Sequence, residues 1–239
     1  MRRQALSLAL ATVLTGLIAG CTSNGEIDNP VQRRATWFSF LSGDDIAAEC
    51  EASGRERYRL TYIADREIQV RIYDIDADMP PKPQLRTRVM QVAASEWFPL
   101  PVLEDPSRPF RPYDTVTTLS EEDMTAIRDD LLNAGWSTQP PPIGRKIASH
   151  SYAWLVAGCR DGAFSFQVWE YPDAEFDALA FPAVLFAAEN SGIDVVPPPT
   201  DGERRTFDRF MGRTGDNMPS DGRELYNMQV VPRGVILVN

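Results

Sequence analysis

Two stretches of the chain have the pattern of β-hairpins, and the first alternates apolar and polar residues with the period of two that is typical of β-strands. The first, YRLTYIADREIQVRIYDI, covers residues 58–75 and contains a turn signal near Ala64-Asp65. The second, SYAWLVAGCRDGAFSFQVWEYP, covers residues 151–172 and has a turn signal at Arg160-Asp161-Gly162. Aromatic and β-branched residues on one side of such a pattern favour half-buried strands. We therefore predict two antiparallel hairpins, with a third strand over residues 85–93.

Helical signals lie between and beyond these hairpins. In LSEEDMTAIRDDLLNAGW, Ser120 is placed as an N-cap and Gly135 as a C-terminal stop. The apolar stripe of this helix consists of Met124, Ile127, Leu131 and Leu132. We also predict a short helix from Asp44 through Cys50, and a helical stretch from Asp173 that Pro182 must kink or divide.

The remaining patterns complete an α+β assignment. Five prolines between Pro99 and Pro112 predict an extended surface connection, and a short helix is expected around Phe207. We also predict a last hairpin that turns at residues 232–234. We expect one α+β domain over residues 33–239, with antiparallel hairpins packed against a few helices.

The first 21 residues have the layout of an export signal. Arg2 and Arg3 precede an apolar run over residues 5–19, and small residues lead to Cys21. The run is shorter than the roughly 20 apolar residues that a membrane-spanning helix needs. An export signal is therefore the preferred interpretation.

The stretch Leu17-Ile18-Ala19-Gly20-Cys21 closely resembles the lipobox of bacterial lipoproteins. The resemblance implies that residues 1–20 are removed and that Cys21 carries the lipid, with residues 21–32 as a flexible tether. It also implies a membrane-anchored protein that faces the periplasm. Thr22, where an Asp would resemble an inner-membrane retention signal, favours the outer membrane. The alternative is an ordinary export signal in which the cysteine occurs by chance.

Export also bears on the remaining cysteines, Cys50 and Cys159. An exported compartment favours a disulfide, and two cysteines allow one pairing. The bond would close a loop of about 110 residues, which is worth about 4 to 5 kcal/mol in loop-closure entropy. Two buried free thiols are the alternative. We expect no metal and no cofactor, because the chain has a single histidine, His150, and no C-x-x-C spacing.

The net charge of the chain argues against nucleic acid as a partner. Removing Arg2 and Arg3 with the signal would leave 22 basic residues against 34 acidic ones, a net charge of −12. Such a surface repels phosphates, and the sequence has no basic stripe interleaved with aromatic residues.

Catalytic motifs are weak throughout the chain. His150 is the natural candidate for a general base, but no G-x-S-x-G elbow accompanies it. Asp74, Asp76 and Asp78 have the spacing of the first three ligands of a calcium loop, yet Met79 stands where that loop needs glycine. The glycines of GRTGDNMPSDG, residues 212–222, favour a surface loop over a phosphate-binding one.

These observations favour a binding or scaffold module of the cell envelope over an enzyme. The aromatic cluster Trp37, Phe38 and Phe40 is the candidate patch for an envelope protein partner, although burial in the core is the preferred interpretation of that cluster. The alternative function is a periplasmic hydrolase that uses a carboxylate pair. The candidate pairs are Asp44-Asp45, the Glu121-Glu122-Asp123 run, Asp129-Asp130 and Glu175 with Asp177.

Overall fold

The computed structural model describes residues 40–64, 68–91, 113–148, 151–199 and 227–238. Four helices lie within these ranges: α1 (Asp44–Ser53), α2 (Glu121–Asn133), α3 (Ala174–Asp177) and α4 (Phe181–Ala188). The same ranges contain nine strands: β1 (Arg57–Ala64), β2 (Gln69–Asp76), β3 (Gln84–Gln91), β4 (Tyr113–Thr118), β5 (Lys146–Ala148), β6 (Tyr152–Arg160), β7 (Ala163–Glu170), β8 (Asn227–Val231) and β9 (Gly234–Val238).

Six of the strands form one antiparallel sheet in the order β4-β3-β2-β1-β6-β7. The two predicted hairpins, β1-β2 and β6-β7, are confirmed. They join through β1 and β6, which pair from Arg57 opposite Cys159 to Ala64 opposite Tyr152. The sheet order thus places β1 and β6, which are buried along almost their whole length, in the interior of the sheet. A second sheet, β5-β8-β9, contains the predicted C-terminal hairpin.

The helices α2 and α4 cover one side of the large sheet, which we call the helical face. Leu60, Trp154 and Trp169 from the strands pack there with Ile127 of α2 and Phe181 of α4. Trp154 makes an edge-to-face contact with Phe181, with ring centroids 5.0 Å apart, a favourable geometry for aromatic pairs. This face contains the largest of the three hydrophobic clusters in the described part of the chain.

The caps of α2 follow the sequence prediction. The Ser120 hydroxyl accepts a hydrogen bond from the Asp123 N–H, and the Asp123 carboxylate accepts one from the Ser120 N–H, which completes a capping box. Gly135 follows the helix with φ +86°, a conformation that favours glycine. Trp136 then inserts over Gly158 of β6, where a Cβ would lie 2.8 Å from the Trp136 ring. Glycine at position 158 is therefore a packing requirement.

Helix α1 and the small sheet cover part of the opposite side, which we call the disulfide face. The disulfide between Cys50 of α1 and Cys159 of β6 lies here, with the two Cα atoms 5.5 Å apart. Ile46, Leu155 and Met228 are buried in the same cluster. The predicted pairing is confirmed, and it ties residues that lie 109 positions apart.

Several features differ from the sequence prediction or go beyond it. β4 and β5 were not predicted, and β3 begins one residue earlier than expected. Pro182 lies in the first turn of α4, which is separate from α3. Of the two predicted outcomes, a kinked or a divided helix, the structure has the divided one. No described helix has the length and hydropathy of a membrane span. The predicted extended connection over residues 99–112 and the helix around Phe207 lie outside the described residues.

Candidate functional site

Phe40, the one member of the candidate aromatic patch within the described residues, is buried. Its side chain is 8% exposed and packs against Val70 and Ile72 on the disulfide face. The guanidinium carbons of Arg59 and Arg88 lie 5.7 and 5.2 Å from its ring centroid, within the range of cation–π attraction. For Phe40 this confirms the preferred interpretation of burial in the core, and it removes this residue from the candidate partner patch. Trp37 and Phe38 lie outside the described residues.

An alternating row of charges crosses the disulfide face beside Phe40, and we call it the charged ladder. Its members, from α1 to β4, are Asp45, Arg59, Asp74, Arg88 and Asp114. Both terminal nitrogens of Arg59 lie 2.9 Å from the Asp45 carboxylate, and its Nε donates to Asp74 over 2.8 Å. The other Asp74 oxygen accepts from Arg88. The ladder thereby connects α1 to four neighbouring strands, β1 to β4.

The ladder keeps its charges although its centre is nearly buried. Burial alone would raise the pKa of Asp74, but the charges of Arg59 and Arg88 outweigh burial and hold this pKa below its usual value. Burial would lower the pKa of Arg59, but Asp74 and Asp45 raise it above its usual value. Asp74 and Arg59 therefore remain ionised at neutral pH, and each is compensated by an oppositely charged neighbour.

The other carboxylates of the candidate calcium loop are also occupied. Asp76 pairs with Arg55, and Asp78 accepts a hydrogen bond from the Glu56 N–H over 2.7 Å. The described residues contain no group of three or more histidine, cysteine or acidic side chains that could hold a metal ion. The DIDAD segment therefore lies at the end of β2, and its carboxylates form ion pairs and a backbone hydrogen bond within the fold.

A second polar cluster is buried on the helical face at β2. Arg71 is fully buried, forms an ion pair with Glu189, and donates to the Ile193 carbonyl and to Gln69. Tyr73 donates to the same Glu189 carboxylate over 2.9 Å. Burial, followed by the Glu189 charge, raises the pKa of Tyr73, so its hydroxyl remains protonated. This cluster holds the irregular segment 189–199 against the sheet.

Three of the four candidate acidic groups each contribute a carboxylate to a helix cap or an ion pair. Asp130 accepts from the N–H groups of Ala180 and Phe181 over 2.8 and 2.7 Å and so begins α4. Asp123 belongs to the capping box, and its hydrogen bonds with Ser120 lower its pKa. Asp45 belongs to the charged ladder. These carboxylates stabilise helix ends and ion pairs.

Glu56 is the remaining carboxyl with a resolved shift. Burial would raise its pKa, but hydrogen bonds from Arg128 and Tyr58 and the charge of Arg128 lower it overall. The Arg128 contacts measure 2.7 and 2.8 Å and tie α2 to the start of β1. A carboxylate with a lowered pKa is a poor general acid at neutral pH.

Several candidate residues lie outside the described ranges. These are the proposed lipidation site Cys21, the histidine His150 and the glycine-containing segment 212–222. Sequence reasoning missed the clusters around Arg59 and Arg71. The only signal for them was the occurrence of arginine within strongly apolar strands, which alternation assigns to a solvent-facing side.

Comparisons of this chain with protein-family models, with curated proteins and with solved structures find no match.

Proposed function

We propose that the chain is a lipid-anchored lipoprotein of the bacterial cell envelope, and that its α+β domain acts as a binding or scaffold module for an envelope protein partner. The charged, apolar and small-residue layout that ends at Cys21 supports the anchor. The Cys50–Cys159 disulfide supports an oxidising compartment, since such bonds are rare in cytosolic proteins. Two or three acyl chains on Cys21 would hold the domain stably at a membrane.

The binding function is favoured over hydrolysis by one observation, the lowered pKa values of the described carboxylates. Asp74, Glu56 and Asp123, whose pKa shifts are resolved, all have lowered values. A hydrolytic carboxylate pair needs one group with a raised pKa to act as a general acid. Asp74 and Glu56 instead form ion pairs within the fold, and Asp123 caps α2. The periplasmic hydrolase remains the second hypothesis, and it would need a pair other than these groups.

The anchor is tested by Cys21→Ser, with Thr22→Ser as the matched control beside the same processing site. We expect Cys21→Ser to lose incorporation of labelled palmitate and to accumulate as the unprocessed precursor. Thr22→Ser should be labelled and processed like the parent chain. Equal palmitate labelling of Cys21→Ser and the parent would contradict the anchor.

The binding function is tested at Trp37 and His150. A photo-crosslinking amino acid at position 37 should give discrete adducts with an envelope protein in intact cells, and Phe38→Ala should weaken these adducts. His150→Gln should leave the adducts and the cellular phenotype unchanged, because recognition then depends on apolar anchors. Loss of the phenotype in a folded, correctly located His150→Gln protein would favour the enzyme instead.

A further inference from the structure

The strand β4 ends the six-stranded sheet and has a free backbone edge within the described residues. It pairs with β3 in an unbroken register from Gln84 opposite Thr118 to Val89 opposite Tyr113. The Leu119 N–H, next in this register, donates to the Pro83 carbonyl over 2.9 Å. Hydrogen-bonding direction alternates along an antiparallel strand. The backbone groups of residues 114, 116 and 118 therefore point away from β3.

Natural edge strands usually carry a device that prevents pairing with another chain. Common devices are lysine, proline, a bulge or a covering segment. The sequence of β4, YDTVTT, has neither lysine nor proline, and its register with β3 contains no bulge. Its only charge, Asp114, is directed back over β3 by Arg86 through hydrogen bonds of 2.9 and 2.6 Å. Val116, in the middle of the strand, is 59% exposed.

The strand at the opposite edge of the sheet, β7, differs from β4 because an outward-pointing N–H near its centre has a hydrogen-bond acceptor. The Tyr171 N–H donates to the Tyr152 carbonyl over 2.8 Å, so the alternation directs the Val168 N–H away from β6. That N–H donates to the side-chain oxygen of the neighbouring Gln167 over 3.1 Å. β7 thus satisfies an outward donor with its own side chain. None of the hydrogen bonds among the described residues does this for Val116.

We propose that β4 pairs antiparallel with β4 of a second copy of this chain, with the two-fold axis at Val116. In this register Val116 lies opposite Val116 of the second copy, and Asp114 lies opposite Thr118 of the second copy. The two-fold axis repeats the second pair, so three pairs of outward-pointing residues face each other. Each pair exchanges two backbone hydrogen bonds, and the seam therefore gains six. A register centred on Thr115 would gain only four, and it would place Val116 opposite an acidic residue.

The chemistry of the strand favours a second copy as the occupant. A two-fold interface must be complementary to itself, and here each acidic residue meets a hydroxyl while the exposed valine meets its equivalent. The two Asp114 residues lie at opposite ends of the paired segment, about 13 Å apart along the strand direction. Each is already neutralised by Arg86 of its own chain. The seam thus avoids the like-charge contacts expected for so acidic a protein.

Thiol crosslinking of Val116→Cys in the full-length chain tests the proposal in cells. The control is Ile143→Cys, because Ile143 is similarly exposed at 62% but lies outside the edge strand. A short bismaleimide should give an adduct of twice the monomer mass from Val116→Cys, at least ten-fold more than from Ile143→Cys or the parent chain. Equal yields, or a dominant adduct with a protein of another mass, would overturn the proposal.

A second variant removes the pairing without a crosslinker. Val116→Pro deletes an N–H that points away from β3, so the pairing of β4 with β3 loses no donor. Formation of the Cys50–Cys159 disulfide on a non-reducing gel reports that the variant folds. By sedimentation of the purified full-length chain, we expect the parent and Ile143→Lys to be dimers and Val116→Pro a monomer. A dimeric, folded Val116→Pro protein, or a monomeric parent, would contradict the β4 seam.

Discussion

Replacing Asp74 by asparagine tests whether the charged ladder stabilises the fold. Asp74 contacts both Arg59 and Arg88, and the side chains of these arginines are only 6% and 8% exposed. The substitution keeps the size of the side chain and removes its charge. Arg59 would still have Asp45, whereas the nearest other carboxylate to Arg88, that of Asp114, lies 3.8 Å away. The perturbation therefore leaves Arg88 poorly compensated.

The expected loss follows from this geometry. Removing one partner of a buried ion pair typically costs about 3 to 5 kcal/mol, because the other charge remains buried. Since Asp45 still compensates Arg59 and the asparagine oxygen still accepts one hydrogen bond, we expect about 3 kcal/mol for Asp74→Asn. The matched control is Asp114→Asn, whose ion pair with Arg86 has side chains 33% and 40% exposed. An exposed pair of this kind contributes about 0.2 to 1 kcal/mol.

Urea unfolding followed by tryptophan fluorescence measures both variants. We expect the midpoint of Asp74→Asn to fall with an unchanged slope, which identifies a change in stability rather than in the denatured state. A loss of less than about 1 kcal/mol, or one no larger than that of Asp114→Asn, would refute the stabilising role of the ladder. Such a result would mean that desolvation of Asp74 already cancels its ion pairs.

The same pair of proteins gives a pH dependence whose sign is fixed. The pKa of Asp74 in the folded chain lies below its unfolded value of about 3.9. The folded state therefore binds this proton less readily, and its stabilising contribution is complete above about pH 4 to 5. That contribution is lost as the pH falls through the folded pKa. The stability difference between the parent and Asp74→Asn should thus be largest at neutral pH and shrink in acid.

Three further substitutions test the covalent tie, the core and a helix cap. Cys159→Ser should lose about 4 to 5 kcal/mol, because loop closure over 109 positions is no longer restrained; a urea midpoint equal to that of the oxidised parent would contradict this. Leu131→Ala, in the helical-face cluster, should cost about 2 to 5 kcal/mol, against less than about 1 for the less buried Leu132→Ala; equal midpoint shifts would place the packing elsewhere. Asp130→Ala should cost about 0.5 to 2 kcal/mol through loss of the cap on α4, whereas the exposed Asp129→Ala should be near neutral; thermal unfolding that ranks them the other way would exclude the cap.

Local patterns with a single physical cause could be predicted from the sequence. The turn at Asp161-Gly162 requires two positive φ angles, and the structure has φ +53° and +73° there. The position of Ser120 ahead of the helical pattern indicated the start of α2, since a cap acts within one turn. The disulfide could be predicted from the proposed export signal and the two remaining cysteines, Cys50 and Cys159. The turn and the cap depend on neighbouring residues, and the disulfide pairing follows from the expected compartment and the number of cysteines.

Features that depend on distant segments could not be predicted in the same way. β4 has no apolar alternation of its own, because threonines occupy its half-buried side and its identity depends on pairing with β3. Arg59 and Arg71 occupy positions that alternation assigns to solvent. Helix α1 with Ser42 covers Arg59, and residues 189–193 cover Arg71. The burial of these arginines therefore depends on the assembled fold. The charged ladder and the cluster around Arg71 could not be predicted for the same reason.

The choice of arginine explains how so acidic a chain accommodates this burial. Only Lys82 and Lys146 are lysines among its 24 basic residues. Every arginine within the described ranges has a carboxylate oxygen within 4 Å. A guanidinium presents five donors in a fixed plane and is less strongly hydrated than an ammonium group, so it can bind several acceptors while leaving water. Arg59 uses this to join Asp45, Asp74 and the Ser42 carbonyl, which connects α1, β2 and the loop before α1. Lysine at that position would supply the charge without the planar set of donors, and the segments would lose their fixed positions relative to the sheet.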